Sequence, residues 1–166
     1  FELKHPGGNA RSAMDLIEEA IDSADRPSSS LFHTKATIYK VLSREQSIGN
    51  ALQNRYLEDA LVLLKKHGGL KQNYSAGSIC EVLLIQAKRM IEELDLGERQ
   101  KLDDEAVLRK VTELERALSE AIQRFPDDLF LTNIKAELHT ALLDQPKAVA
   151  LLARAHDKNP ANELVA

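Results

Sequence analysis

Apolar residues recur at helical spacing along almost the whole chain. In the first such segment, Ala13, Ile17, Ala20, Ile21 and Ala24 fall on one face of a helix. The segments that share this period are Ala13–Ala24, Leu31–Arg44, Ala51–Lys66, Ile79–Leu94, Val107–Phe125, Leu129–Leu143 and Ala148–Ala155. None of them shows the strict alternation of a strand, and Val and Ile do not cluster as they do in a sheet. The pattern predicts an all-α chain of seven helices.

Residues that stop helices or form turns separate these segments. They are Pro6-Gly7-Gly8, Arg26-Pro27-Ser28, Gly68-Gly69 and Phe125-Pro126-Asp127. Gly68-Gly69 is typical of a helix C-terminus, and we interpret the stretch from Gly69 to Gly77 as a turn between two helices. Because most connections are short, successive helices are expected to be antiparallel neighbours.

Composition limits the classes of function. The chain has 166 residues, 43% hydrophobic and 29% charged, with a formal net charge of −4, which suits one domain with a real core. No apolar run approaches the roughly 20 residues that span a bilayer, so no membrane partner is expected. The mildly negative charge argues against nucleic acid as a partner.

Cys80 is the only cysteine, which excludes an intrachain disulfide and fits a reducing, cytoplasmic location.

A repeated pattern near the end of the chain points to a helical repeat. Ala121 and Ala155 each precede a proline by five residues, and those prolines, Pro126 and Pro160, are 34 residues apart. A period of 34 residues is that of the tetratricopeptide repeat, a pair of antiparallel helices. The chain resembles this family at both ends, whereas the middle, roughly Gln46 to Glu105, departs from the pattern. The positions that carry the resemblance are Ala13, Ile17, Ala20, Ala36, Leu114, Leu118, Ala121, Pro126, Ala136, Ala148, Leu152, Ala155 and Pro160.

The resemblance implies a fold. Tetratricopeptide-like pairs stack into a right-handed superhelix, which we expect over residues 1–166 as a single domain. A four-helix-type bundle is the alternative. Since the chain begins with Phe1 and not Met, we expect it to be a piece of a longer protein. The family's small-residue positions predict that Ala121 and Ala136 lie where helices approach most closely.

The family's register also implies a binding surface on the concave side. Two trios of polar residues would project there from the first helices of repeats, each with spacings of four and three that give one stripe. The trios are His33, Thr37, Lys40 and Asn133, Glu137, Thr140. We expect these side chains to be exposed and to bind a protein or peptide. The alternative interpretation is a solvated polar face, which every amphipathic helix has.

Other residues that carry chemistry do not form a recognisable catalytic or metal site in the sequence. The five histidines are far apart, and although His139 and His156 lie on one predicted helix pair, two imidazoles alone make an incomplete zinc site. The acidic stretch from Glu92 to Glu105 lacks the spacing of a calcium loop. Cys80 lies in an apolar run, which predicts a buried, unreactive thiol. We therefore expect neither an enzyme nor a cofactor.

Two hypotheses for function follow. The first is a non-catalytic interaction or scaffold module that binds a partner segment or another copy of itself. The second is a ligand-sensing or regulatory domain of a larger enzyme, such as a signal-transducing NTPase. A phosphate-binding loop elsewhere in the full-length protein would favour the second.

Overall fold

A computed structural model describes residues 9–95 and 104–143 of the chain. These residues form six α-helices and a single-turn 3₁₀ helix, with no strand among them. The helices are α1 (Asn9–Asp22), α2 (Ser29–Leu42), α3 (Asn50–Lys66), α4 (Asn73–Asp95), α5 (Asp104–Arg124) and α6 (Leu129–Leu143), and the 3₁₀ helix is Gly69–Lys71. The all-α prediction is confirmed for this part of the chain. The predicted seventh helix, Ala148–Ala155, and the repeat position Pro160 lie outside the described residues.

The chain divides into two compact units, residues 1–82 and 83–166, with the boundary inside α4. In the first unit α1 packs on α2, and α2 packs on α3. The contact between α1 and α2 buries Ala10 and Ile17 against Ile38 and Leu42. The predicted apolar face of α1 is confirmed in part: Ile17 is buried and Ala13 and Ile21 are half-buried, whereas Ala20 is exposed.

Helix α4 begins earlier than the sequence indicates. Its first residue is Asn73, and Ala76 N–H already donates to the Gln72 carbonyl at 2.9 Å. The predicted turn from Gly69 to Gly77 is therefore wrong in its second half. Polar residues and a glycine at 73–77 look like a loop in sequence, but Ser75, Ala76 and Gly77 are buried in the structure. Tertiary contacts thus override the weak local helix signal.

The second unit contains residues 83–95 of α4 together with α5 and α6, and α5 packs on α6. Asp128 precedes α6 as its N-cap, since its carboxylate accepts the Leu131 N–H at 3.1 Å. The buried stripes of the two helices are Val107, Val111, Leu114, Leu118 and Ala121 on α5, and Leu131, Ile134, Leu138 and Leu142 on α6.

The small residues singled out by the repeat pattern behave differently from one another. Ala36 and Ala121 are fully buried, as expected for close helix packing. Ala136 is exposed, so the expectation that it lies at a close helix contact is wrong. Ala136 lies two residues beyond Ile134 and so points away from the buried stripe of α6.

Within the described ranges, no helix is both long enough and apolar enough to cross a membrane.

Candidate functional site: a cleft between α4 and α6

A cleft of about 520 Å³ lies between the second part of α4 and α6, within the second unit. Three of the residues predicted to bind a partner, Asn133, Glu137 and Thr140, line it together. Their spacing along α6 places them on one face, as the sequence argument requires. Other described residues that line it are Lys88, Ile91, Glu92, Ala136 and Ala141.

The floor and walls of the cleft differ in chemistry. Ile91 is only 1% exposed, so the cleft offers little apolar surface at its base. Ala136 and Ala141 line the cleft with short apolar side chains. Polar and charged side chains form the rest of the lining. A small apolar floor with converging polar groups is typical of a binding site.

An ion pair between Lys88 and Glu137 crosses the cleft. Lys88 Nζ on α4 lies 3.7 Å from Glu137 Oε2 on α6. The side chains are 43% and 59% exposed, so water and salt screen the attraction strongly. A pair of this kind contributes little to stability and separates easily.

The other two predicted residues on α6 offer hydrogen-bonding groups. The Thr140 hydroxyl donates to the Ala136 carbonyl at 3.1 Å, which leaves its oxygen able to accept. Asn133 is exposed, and its side-chain amide makes no hydrogen bond with the part of the chain that the structure describes. A free amide presents both donors and an acceptor to a ligand.

The structure places the predicted trio on α2 differently. His33 is buried, and its Nε2 lies 2.6 Å from the His67 carbonyl oxygen and 2.8 Å from Ser75 Oγ. The expectation that His33 is exposed is therefore wrong. Because a carbonyl oxygen can only accept, we assign the hydrogen of His33 to Nε2, which donates to His67.

Thr37 and Lys40 also face α4 and not open solvent. The Thr37 hydroxyl donates to the His33 carbonyl at 3.1 Å and contacts the Tyr74 hydroxyl at 3.1 Å. Lys40 Nζ donates to Glu81 Oε2 at 2.6 Å, and its side chain is only 12% exposed. The expectation of an exposed lysine is wrong as well. The polar stripe of α2 is occupied by contacts within the first unit.

The pair His33 and Ser75 does not have the arrangement of a catalytic dyad. A general base needs a free lone pair toward the serine hydroxyl, whereas His33 Nε2 carries the hydrogen that it donates to the His67 carbonyl and has no lone pair left. Ser75 is also fully buried, which closes it to a substrate. These groups instead hold the connection between α3 and α4.

That connection is further fixed by His67 and Gly68. The His67 ring stacks on Phe32 with centroids 3.6 Å apart and planes 7° from parallel. Burial lowers the pKa of His67, and the charges of Lys66 and His33 lower it further. Gly68 has φ +138°, and a Cβ at this residue would collide with Ser75 Oγ, so the turn requires glycine.

Cys80 is fully buried, as predicted. Burial raises the pKa of the Cys80 thiol to about 12. The reactive form of cysteine is the thiolate, so this thiol is unsuited to nucleophilic chemistry at neutral pH.

A smaller pocket of about 120 Å³ lies between α5 and α6. Glu115, Ser119, Lys135 and His139 line it above an apolar floor. His156, which lies on the same predicted helix pair as His139, is outside the described residues. In the ranges 9–95 and 104–143, no group of three or more His, Cys, Asp or Glu side chains is arranged to hold a metal.

In comparisons with known proteins, no family model, curated protein or solved structure matches this chain.

Sequence reasoning missed the α4 side of the cleft. Lys88, Ile91 and Glu92 have the spacing of one helix face, which is a usable signal. That signal does not reveal which helix they face, because the pairing of α4 with α6 depends on contacts more than 40 residues apart in sequence.

Proposed function

We propose that this chain is a non-catalytic interaction module that binds a segment of a partner protein in the α4–α6 cleft. The observation that carries the proposal is the convergence of Asn133, Glu137 and Thr140 on one cleft opposite α4. If these three residues were only the solvent-facing side of an amphipathic helix, they would not need to line a cavity together. The cleft volume of about 520 Å³ also falls within the usual range of roughly 300–1,000 Å³ for ligand sites.

The proposal includes a tetratricopeptide-like right-handed superhelix. The packing of successive helices, α1 on α2, α2 on α3 and α5 on α6, supports it. The burial of Ala36 and Ala121 at positions where that repeat uses small residues supports it as well. A module of this kind binds either a peptide segment or a second copy of itself, and it acts in the cytoplasm.

The non-catalytic part of the proposal is supported by the state of two groups that might otherwise react. The Cys80 thiol is buried with a raised pKa, and Ser75 is buried against a histidine nitrogen that carries hydrogen. Both groups are fully buried and therefore closed to a substrate.

Selection of peptides from a randomised library tests the proposal. The full chain is used to enrich binding peptides, which are then measured against Ala136→Trp. Because Ala136 is exposed inside the cleft, an indole there fills the cavity while leaving the core intact. The matched control is Ala51→Trp, at an exposed alanine on α3.

Enriched peptides should lose at least tenfold in affinity for Ala136→Trp and keep their affinity for Ala51→Trp. Equal binding to both variants would place the binding site elsewhere. Circular dichroism of each variant checks that the helices are retained.

A further inference from the structure

We infer that the α4–α6 cleft selects a basic partner segment and that Lys88 is an intramolecular competitor for it. In the absence of the segment Lys88 forms an ion pair with Glu137, and a cationic side chain of the segment displaces Lys88 on binding. The inference rests on the proposed function, because it names the chemistry of the partner for the same cleft.

The charged side chains that line the cleft indicate the charge of the partner. Among the described residues that line the cleft, Glu92 and Glu137 carry carboxylates and only Lys88 carries an ammonium group. This described part of the lining is therefore acidic on balance, in a chain whose formal net charge is −4. Complementary charge favours a cationic partner and disfavours an acidic one.

The geometry of the Lys88–Glu137 ion pair indicates that another cation can replace Lys88. At 3.7 Å and with both side chains about half exposed, the Lys88–Glu137 pair is weak enough to exchange. A lysine or arginine from a bound segment can take the position of Lys88 on Glu137. The long, flexible stem of Lys88 then lets its ammonium group move into water at little cost.

The accessible apolar lining of the cleft fits the same class of partner. Ile91 is buried, but Ala136 is exposed and Ala141 is half-buried, and both line the cleft beside the carboxylates. The methylene stems of lysine and arginine pack on apolar surface while their charged ends reach toward acidic groups. A basic side chain can therefore contact the apolar lining with its stem and the carboxylates with its charged end.

Removing Lys88 should strengthen binding, which is the distinctive consequence of the inference. The probes are three capped peptides of equal length in which leucine alternates with arginine, glutamine or glutamate. Affinity for the full chain is measured by fluorescence anisotropy at low salt. The arginine peptide should bind most tightly, and Lys88→Ala should raise its affinity about two- to fivefold, the usual scale of an exposed ion pair.

Two comparisons distinguish the removal of a competitor for Glu137 from a general change in the net charge of the protein. Lys135→Ala removes the same charge from α6, but Lys135 lines the smaller pocket and not the cleft, so its effect should be much smaller. In a Glu137→Gln background, Lys88→Ala should give no gain, because the carboxylate for which the two cations compete is gone. The preference for arginine over glutamine should also fade as salt rises from about 0.05 M to about 0.5 M.

The outcomes distinguish this inference from the proposed function. If library-selected peptides bind and Ala136→Trp blocks them, while the arginine peptide binds no better than the glutamine or glutamate peptide, the cleft is a binding site without the inferred selectivity. Unchanged or weaker binding of the arginine peptide to Lys88→Ala would overturn the competitor role. If Ala136→Trp blocks no peptide, both the inference and the proposed function fail.

Discussion

The imidazole of His33 donates a hydrogen bond of 2.6 Å to the backbone carbonyl of His67, which lies 34 residues further along the chain. The bond joins α2 to the connection between α3 and α4. Because Ser75 Oγ lies 2.8 Å from the same nitrogen, one buried side chain ties together three parts of the first unit.

Loss of this side chain should destabilise the protein. His33→Ala leaves the half-buried His67 carbonyl and the buried Ser75 hydroxyl without their partner, which costs about 1–3 kcal/mol. His33→Gln retains an N–H donor and should recover part of the loss. Urea unfolding followed by circular dichroism measures both variants. His139→Ala, at an exposed histidine, should stay within about 0.5 kcal/mol of the original chain; a similar loss there would contradict the specific role of His33.

Gly68 should tolerate no side chain. Gly68→Ala places a Cβ at φ +138° and against Ser75 Oγ, so we expect a loss of more than about 1 kcal/mol. Gly49 is the control, since it has φ −70° and nothing within 4 Å of an added Cβ. Gly49→Ser at this helix N-cap should be neutral or stabilising. Thermal unfolding compares the two, and equal melting temperatures would count against the strained turn.

Leucine in place of Ala121 or Ala136, two alanines of the repeat pattern, should have different effects on the free energy of unfolding. Ala121 is fully buried, so Ala121→Leu should cost about 1–3 kcal/mol through overpacking. Ala136 is exposed in the cleft, and Ala136→Leu should change the free energy of unfolding by less than about 0.5 kcal/mol. Chemical denaturation of both variants checks the difference. A large loss for Ala136→Leu would mean that the cleft is closed.

Stability should fall in mild acid through His67. Its pKa is lowered in the folded state from the ordinary value of 6.5, so the unfolded chain binds a proton more readily. The contribution of His67 is complete above about pH 6.5 and is lost as the pH falls through the lowered value. His67→Phe keeps a ring to stack on Phe32 but does not titrate. Urea unfolding at about pH 7.5 and about pH 5.5 should therefore show a smaller drop for His67→Phe, and an equal drop would remove His67 as the cause.

The helices were predictable because apolar periodicity is a local property. Five of the six observed helices begin within four residues of the predicted start, since their buried stripes repeat every three or four residues. The start of α4 was not predictable, because Tyr74, Ser75 and Gly77 are poor helix formers and because Tyr74 and Ser75 are held by contacts from α2.

The candidate site was predictable on one helix only. The spacing of Asn133, Glu137 and Thr140 places them on one face without knowledge of the fold. His33 has the same kind of spacing, but its partners lie 34 and 42 residues away and bury it. Polarity in a sequence thus does not distinguish a side chain that meets water from one that meets another helix.

Cys80 offers a built-in reporter of local opening. As the only thiol in the chain, and one that is fully buried, it can meet a labelling reagent only while the surrounding helices are transiently apart. When reclosing is fast, the labelling rate equals the rate of the exposed thiol multiplied by the fraction of time spent open. Timing that single reaction gives the free energy of opening around α4 directly, with no probe to be introduced.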